Sequence, residues 1–387
     1  NRRNVCWNST ADYLLLYPYI VADSVGGDLT TEEYAFGGGY ARRIGRFDIA
    51  LRGDYRAAQE YRQVDPRPHN VVSDFTVRLG AGMELGRSVL ILDLRGRLYK
   101  QNSRISFFNE TNTVRELFMA GLGSILQRYS GKSGSTLTAY TGRGYAVAAQ
   151  LMPHRPEGWY ARAEYSRFTT DRNYRPNNSI PVSTLRTQRG EAHVAYRAGR
   201  WSLGAYAARS QRLGIEMVAD RTGQGTPVDR QAMYENRIWQ AGAEATVEWR
   251  RGNRRYALRP GVEWQQSAAE YLWPAREMTL SRLGGSLRGH AEWLFARWRF
   301  KASLGIGCYG APSGTLSLPG LADYLAEYLT GTAERLNSRT LAPEAGFRAE
   351  RRLRGRTACF AEAGWSPRLY EGGLAEHNLT AACGFLF

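Results

Sequence analysis

No apolar run in this chain is long enough to cross a membrane as a helix. The longest, Tyr13 to Ala22, is bounded by Asp12 and Asp23, and a spanning helix needs about 20 apolar residues. The mean hydropathy of −0.47 points the same way. Cysteine is scarce. Cys6, Cys308, Cys359 and Cys383 have no CxxC spacing and no histidine beside them, which argues against a metal site, and a disulfide would need two of them on adjacent strands in matched register. Histidine is scarce too, with His69, His154, His193, His290 and His377 scattered. No serine sits in a GxSxG elbow and no HExxH occurs. Gly121-Leu122-Gly123 and Gly142-Arg143-Gly144 do not lead into helices, so they are not phosphate loops. No catalytic residue, metal ligand or cofactor site is therefore assigned. No linker or composition break divides the 387 residues, so residues 1–387 are read as one domain. The start at Asn1, without Met or signal peptide, is read as a processed N-terminus.

What the chain has is a two-residue rhythm, clearest from Asn236 to Trp264. Trp239, Ala241, Ala243, Ala245, Val247 and Trp249 alternate with Gln240, Gly242, Glu244, Thr246 and Glu248. After the polar turn Arg251-Gly252-Asn253, the apolar set Tyr256, Leu258, Pro260, Val262 and Trp264 alternates with Arg259, Gly261, Glu263 and Gln265. Strand side chains alternate faces, so this predicts a hairpin with one apolar and one charged side. Its bracketing tryptophans are ten residues apart. At ~3.3 Å per residue and a tilt of ~40°, that climbs roughly 25 Å, the height of the apolar band of an outer-membrane barrel with aromatic girdles at its rims. Such a barrel spends only alternate residues on lipid, which reconciles the low hydropathy with membrane residence.

The rhythm recurs along the chain. Tight arginine-rich turns near 43–46, 86–87, 198–200, 251–254, 296 and 352–356 alternate with longer polar connections near 63–71, 101–135, 171–183, 217–233, 310–336 and 367–376. Short periplasmic turns and long extracellular loops are the outer-membrane asymmetry. The expected fold is a closed, all-β transmembrane antiparallel barrel of about 16 strands, with 14 as the lower count. Residues 1–29 are read as a first strand or an N-terminal extension, and no plug-like N-terminal region is expected. Residues 101–135 are one long loop, or a loop with an extra strand near Phe118 to Tyr129. The 310–336 loop includes Leu321 to Leu329 at helical spacing, so a short helix is expected there.

The chain closes on Leu379-Thr380-Ala381-Ala382-Cys383-Gly384-Phe385-Leu386-Phe387, with Leu379, Ala381, Cys383, Phe385 and Phe387 on one face. An alternating last strand ending in Phe resembles the assembly signal of Gram-negative outer-membrane β-barrel proteins. The resemblance implies residence in the cell outer membrane, with its lipids and the outer-membrane assembly machinery as partners. The Gly-, Tyr- and Arg-rich style also resembles Bacteroidota barrels that accompany TonB-dependent receptors or surface lipoproteins, and implies a partner of that kind.

The net charge is +16, from 52 Lys and Arg against 36 Asp and Glu. The basic residues are dispersed at strand ends and on one strand face among carboxylates, which suits a membrane surface or an anion-favouring lumen and not a nucleic-acid groove. The predicted lumen lining comprises Arg78, Arg95, Arg97, Arg162, Glu244, Glu248, Arg259, Glu263, Arg288, His290, Glu292, Arg299, Glu344, Arg348 and Glu350. Charges there need water or partners. They form either a cross-strand ion-pair lattice that stiffens the wall or the lining of a pore, and the two can coexist. The leading expectation is a porin-like channel for small polar, anion-leaning solutes. The alternative is a non-conducting docking barrel. A hydrolase using His193, or His290 beside Glu292, is the third reading.

Overall fold

Trp249 lies directly opposite Tyr256, and Ala241 opposite Trp264. The two rings of the first pair stack 5.6 Å apart. The hairpin register read from the sequence is therefore the register of the protein, and it is repeated around a large curved sheet. The computed structural model describes residues 2–108, 116–131, 136–175, 179–219, 227–353 and 357–386. In order, the elements are α1 (Tyr13–Leu16), β1 (Val21–Ala22), β2 (Thr30–Ile44), β3 (Phe47–Tyr61), β4 (Arg67–Leu85), β5 (Ser88–Ser106), β6 (Leu117–Phe118), β7 (Thr136–Pro153), β8 (Gly158–Arg175), β9 (Ile180–Ala198) and β10 (Trp201–Ala219). They continue with β11 (Pro227–Arg251), β12 (Arg254–Tyr271), β13 (Arg276–Leu294), β14 (Trp298–Ser317), α2 (Asp323–Asn337), β15 (Thr340–Arg352), β16 (Ala358–Trp365), β17 (Arg368–Tyr370), β18 (Ala375–Glu376) and β19 (Leu379–Leu386).

Apart from the small pair β1–β6, all strands belong to one sheet of 17 segments arranged in the order of a barrel. β16 and β17 pair with β15 at one continuous offset, and β18 and β19 continue each other likewise. Each couple is one interrupted pass across the wall. Four passes, β2 to β5, precede the 107–135 connection, nine run from β7 to β15, and the two interrupted ones bring the wall to fifteen. Every registered pairing between them is antiparallel.

Closure is where the fold departs from expectation. β2 is registered only with β3, and β19 only with β16. No ladder joins β2 to β19 among the described residues, and the sheet is not closed.

The strands are also longer than the apolar band requires. β11 has 25 residues, and β8 and β9 run through most of the 171–183 segment expected to be loop. About ten residues cross a 25 Å band, so the surplus rises as a palisade at the loop end. There the alternation of apolar and charged residues fades, because neither face meets lipid. The turns at the other end fall where arginine and glycine predicted them, with Gly45, Gly86, Gly199 and Gly252 all at positive φ. Residues 176–178 of the 171–183 connection, residues 354–356 of the 352–356 turn, and Phe387 lie outside the described residues.

Two further expectations need correction. Residues 4–20 are not a wall strand, and the chain does have a plug-like N-terminal region. Residues 2–29 enter the bore, and Thr10, Leu16, Tyr19, Ile20 and Val21 are all buried there. No two-residue rhythm runs through 4–20, and the carboxylates of Asp12 and, just beyond that stretch, Asp23 find arginines inside the bore. In the 101–135 region, the extra strand near Phe118 exists but is only two residues long and pairs with β1, inside the sheet. The helix expected in 310–336 starts at Asp323 and runs on to Asn337. It meets the N-terminal segment, with Trp7 stacked on Tyr324 at 5.7 Å and tilted against Tyr328 at 5.6 Å.

Candidate functional site

The bore divides into two halves of opposite character. At the loop end, three apolar clusters join the N-terminal segment and residues 116–131 to inward side chains of the wall, among them Val72, Tyr99, Tyr140, Val182, Leu185, Tyr234 and Tyr271. Charged residues bind the backbone of this internal segment. Arg172 of β8, 1% exposed, donates to the carbonyls of Ile20 and Met119 at 3.2 and 3.0 Å. Its guanidinium lies 5.3 and 5.2 Å from the ring centres of Tyr19 and Phe118. Glu216 accepts from the hydroxyls of Tyr271 and Tyr19 at 3.1 and 3.3 Å. Arg276 donates to the carbonyls of Leu122, Pro319 and Gly320. Asp12 takes Arg56 at 2.5 Å and the Tyr99 hydroxyl at 2.9 Å. Arg62 and Asp23 pair at 3.1 Å with both side chains almost fully buried.

Burial raises the phenols of Tyr13, Tyr17 and Tyr19 in this segment. Tyr17 is pushed up to about 12, with Arg212 opposing the rise.

Sequence reasoning missed these anchors. The inward rhythm that passes through Arg162 and Glu164 reaches Arg172 if it is carried on by twos, but position 172 was assigned to loop. Asp12 and Asp23 served there only as the limits of a short apolar run.

At the turn end, the predicted lumen residues form an ion-pair lattice. Arg255 reaches Glu292 at 3.8 Å. Glu292 also binds Arg299, and Arg299 reaches Glu350 at 3.7 Å. Lys301 approaches Glu350 at 3.5 Å, and Arg348 bridges Glu350 and Glu362 at 2.7 Å each. Seven side chains on five adjacent strands, β12 to β16, are thus linked continuously. Across the bore, Glu164 takes Arg95 and Arg162, while Arg97 forks onto Asp74 at 2.7 and 2.8 Å. Arg288 meets Glu344 at 2.9 Å and Arg197 meets Glu248 at 2.8 Å.

The remaining predicted residues are less tightly integrated. Arg259 donates to Thr246 at 3.2 Å, and Glu244 packs near Gly204 and Gly261. Arg78 stands in register between Arg52 and Arg95. Glu263 lines an upper cavity of about 710 Å³ together with Arg2, Arg288 and Glu344.

The His290–Glu292 pair expected of a general base is not assembled, because Arg255 and Arg299 hold the Glu292 carboxylate. His193 stacks on Tyr206 at 5.5 Å and lies 3.9 Å from Glu191. The four cysteines are free.

The lattice borders a cavity of about 1030 Å³ at the turn end. Its lining includes Arg200, Arg250, Arg255, Arg299, Lys301 and Arg348 against Glu248, Glu292 and Glu362, with His290 among them. Six cations against three carboxylates make it a basic vestibule.

The whole chain, residues 1–387, matches the family described as "Family of unknown function (DUF6850)" and belongs to it. No curated protein matches. Solved structures with a related outline are outer-membrane proteins. The copper transporter OprC is 10% identical with a TM-score of 0.45, covering 91% of this chain and 65% of its own. The ferric preacinetobactin receptor BauA from Acinetobacter baumannii is 12% identical with a TM-score of 0.45, covering 92% of this chain and 58% of its own. A bacterial polysaccharide outer membrane secretin is 12% identical with a TM-score of 0.40, covering 91% and 96%.

Proposed function

We propose that this is an outer-membrane barrel whose bore is occluded at its loop end, and that it serves as a docking barrel and not as an open pore. The observation that carries this reading is the clamp of Arg172 on the carbonyls of Ile20 and Met119. A buried guanidinium whose Nη1 is shared between two internal backbone carbonyls belongs to a packed interior, because a water-filled lumen would leave those carbonyls hydrated. The membrane assignment rests on the exposed apolar face of the wall, where Phe36, Leu51, Leu98, Trp159, Leu203, Val262 and Leu304 are all more than half exposed. A continuous belt of such residues marks contact with lipid or a partner. The alternating last strand then serves insertion by the outer-membrane assembly machinery, and the outer loops and α2 form the surface a TonB-dependent receptor or lipoprotein would meet. No covalent chemistry is part of this reading.

Planar-bilayer recording tests it. The wild-type protein is expected to show no steady conductance. A stable anion-selective current from wild type would overturn the docking reading in favour of a channel. That second reading, a gated anion-leaning pore, is favoured by the basic lining of the turn-end cavity and requires the internal segment to move.

A further inference from the structure

A basic arc on the outer face of the wall has no counter-charge in the fold. Lys100 of β5, Arg143 of β7, Arg167 of β8, Arg186 of β9 and Arg209 of β10 belong to five adjacent strands. Each lies in step with an exposed apolar residue of its own strand, respectively Leu98, Tyr145, Tyr165, Val194 and Leu203, so all five face outward. They stand eight to twelve residues from the turn-end residues of those strands, Ser88, Pro153, Gly158, Ala198 and Trp201. About ten residues cross the apolar band, so the arc follows the band's loop-end rim.

The arc is centred on Thr169. This residue lies directly opposite Arg143 on one side and Arg186 on the other, and Arg167 is its outward neighbour on β8. Adjacent strands are ~4.8 Å apart and diagonal neighbours ~7–8 Å, so the Cα atoms of the three arginines fall within about 10 Å of one another. Lys100 flanks them on β5, two residues beyond Leu98, which is opposite Arg143. Arg209 flanks them on β10, its guanidinium 4.9 Å from the ring centre of Trp239. None of the five meets a carboxylate among the described residues. Asp171, the outward carboxylate of β8, accepts from the Thr184 hydroxyl at 2.6 Å instead. The outward arginine of the next strand, Arg237, is neutralised by Glu270 at 2.7 Å and Glu235 at 3.6 Å. Like charges gathered this closely repel, and here the fold supplies nothing to offset them.

Below the arc, the same five strands form a shallow depression of about 610 Å³. Its floor is the outward alanines Ala149, Ala161, Ala163, Ala192, Ala205 and Ala207. Read upward, β8 gives Ala163, Tyr165 and Arg167, and β10 gives Ala205, Ala207 and Arg209. Apolar space within the band thus leads directly to free cations at its rim.

We propose that the arc and the depression together bind a lipid of the outer leaflet, with phosphate groups on its headgroup and its acyl chains laid over the alanines. The proposal rests on the membrane reading above and is independent of whether the bore is closed. Guanidinium forks match phosphate oxygens two at a time, and the Thr169 hydroxyl offers a further donor between them. Charge complementarity selects the phosphate. The depression directly beneath selects a lipid over a free ion.

The test uses the full chain purified in a nonionic detergent, with lipid A carrying both phosphates as the probe and native mass spectrometry as the readout. One lipid A is expected to stay with each chain. Removing both phosphates should weaken binding about tenfold or more, and so should Arg143→Gln, Arg167→Gln and Arg186→Gln combined. Ala163→Trp fills the depression without changing charge and should weaken binding too. Arg46→Gln, Arg87→Gln and Arg155→Gln combined remove the same charge from the turn end and should bind as wild type does. Heat-modifiable gel migration reports folding of each variant, and Arg167→Gln alone serves if the triple variant does not fold. Dephosphorylated lipid A bound as tightly, an equal loss in the turn-end variant, or no effect of Ala163→Trp would overturn the proposal. Displacement by inorganic phosphate at the concentration of the lipid would do so as well, since the site would then be one for the free ion. Carbonate extraction of wild-type membranes reports membrane residence separately. Release of the protein would sink the membrane reading and this proposal with it, whereas a retained protein indifferent to the phosphates sinks this proposal alone.

Discussion

Arg172 is the residue on which occlusion of the bore depends most directly. Replacing it with Ala removes the Arg172 donor from the Met119 carbonyl and one of two donors from the Ile20 carbonyl, which keeps the Met119 N–H at 2.9 Å, and opens a void between Tyr19 and Phe118. Loss of about 3 kcal/mol from the docking of the internal segment is expected, read as cleavage of residues 8–23 by added protease where wild type resists. Arg172→Met, which fills the volume without the charge, should recover part of that loss, since burying a cation is itself costly. The phenols give a pH dependence with a definite sign. Tyr13 and Tyr17 are held neutral by burial, with Tyr17 raised to about 12. A raised phenol contributes fully below the ordinary tyrosine value of about 10 and loses its contribution as pH climbs above that value toward the folded one. Docking should therefore be constant through neutral pH and weaken between pH about 10 and 12. Ultraviolet titration of tyrosinate, followed in parallel with protease sensitivity, checks this. Release on acidification instead would mean that the buried phenols do not govern the segment.

At the level of elements, the β11–β12 hairpin shows what the two-residue rhythm specifies. A Cβ on Gly242 would lie 2.6 Å from the Tyr206 ring and 2.8 Å from the Val262 carbonyl oxygen. The backbone atom cannot swing aside, so Gly242→Ala should cost about 1–3 kcal/mol, seen as a lower unfolding temperature in detergent. Gly261→Ala, whose nearest neighbour would be the Ser286 hydroxyl at 3.3 Å, should cost less. The hairpin was legible because lipid on one side and charge on the other impose a period of two. The turns were legible because glycine at positive φ and arginine mark them. Ion-pair partners were only half legible. The turn at 295–297 puts Glu292 opposite Lys301, yet the carboxylate binds Arg299 diagonally, a choice set by side-chain reach and not by register. The internal segment was not legible at all. Residues 4–20 pack mostly against protein, with Asn4, Cys6 and Leu14 exposed, so no regular solvent boundary writes a period into them, and their anchors lie on β3, β5, β8 and β10, far away in sequence.

For the whole molecule, the division of the bore sets what happens when the occlusion is relieved. The turn-end vestibule carries six cations against three carboxylates, and the lattice holds them in fixed positions along β12 to β16. Individual pairs of this partly exposed kind contribute at most about 1 kcal/mol each to stability. Their collective effect is a positive potential over the unpacked turn-end part of the lumen. An Arg172→Ala protein that conducts in planar bilayers should therefore prefer anions. The preference should fade between 0.1 and 1 M salt, as the screening length shrinks from about 10 Å to about 3 Å and falls below the spacing of charges across the cavity. Lys301→Glu exchanges a cation for a carboxylate beside Glu350 and should lower the preference at 0.1 M while leaving the high-salt current unchanged. A cation-selective current at low salt would show that ions take a route that bypasses this vestibule, along the seam between β2 and β19. The two routes separate cleanly, because a bulky thiol reagent on Cys383 lies outside the vestibule and should block only the second.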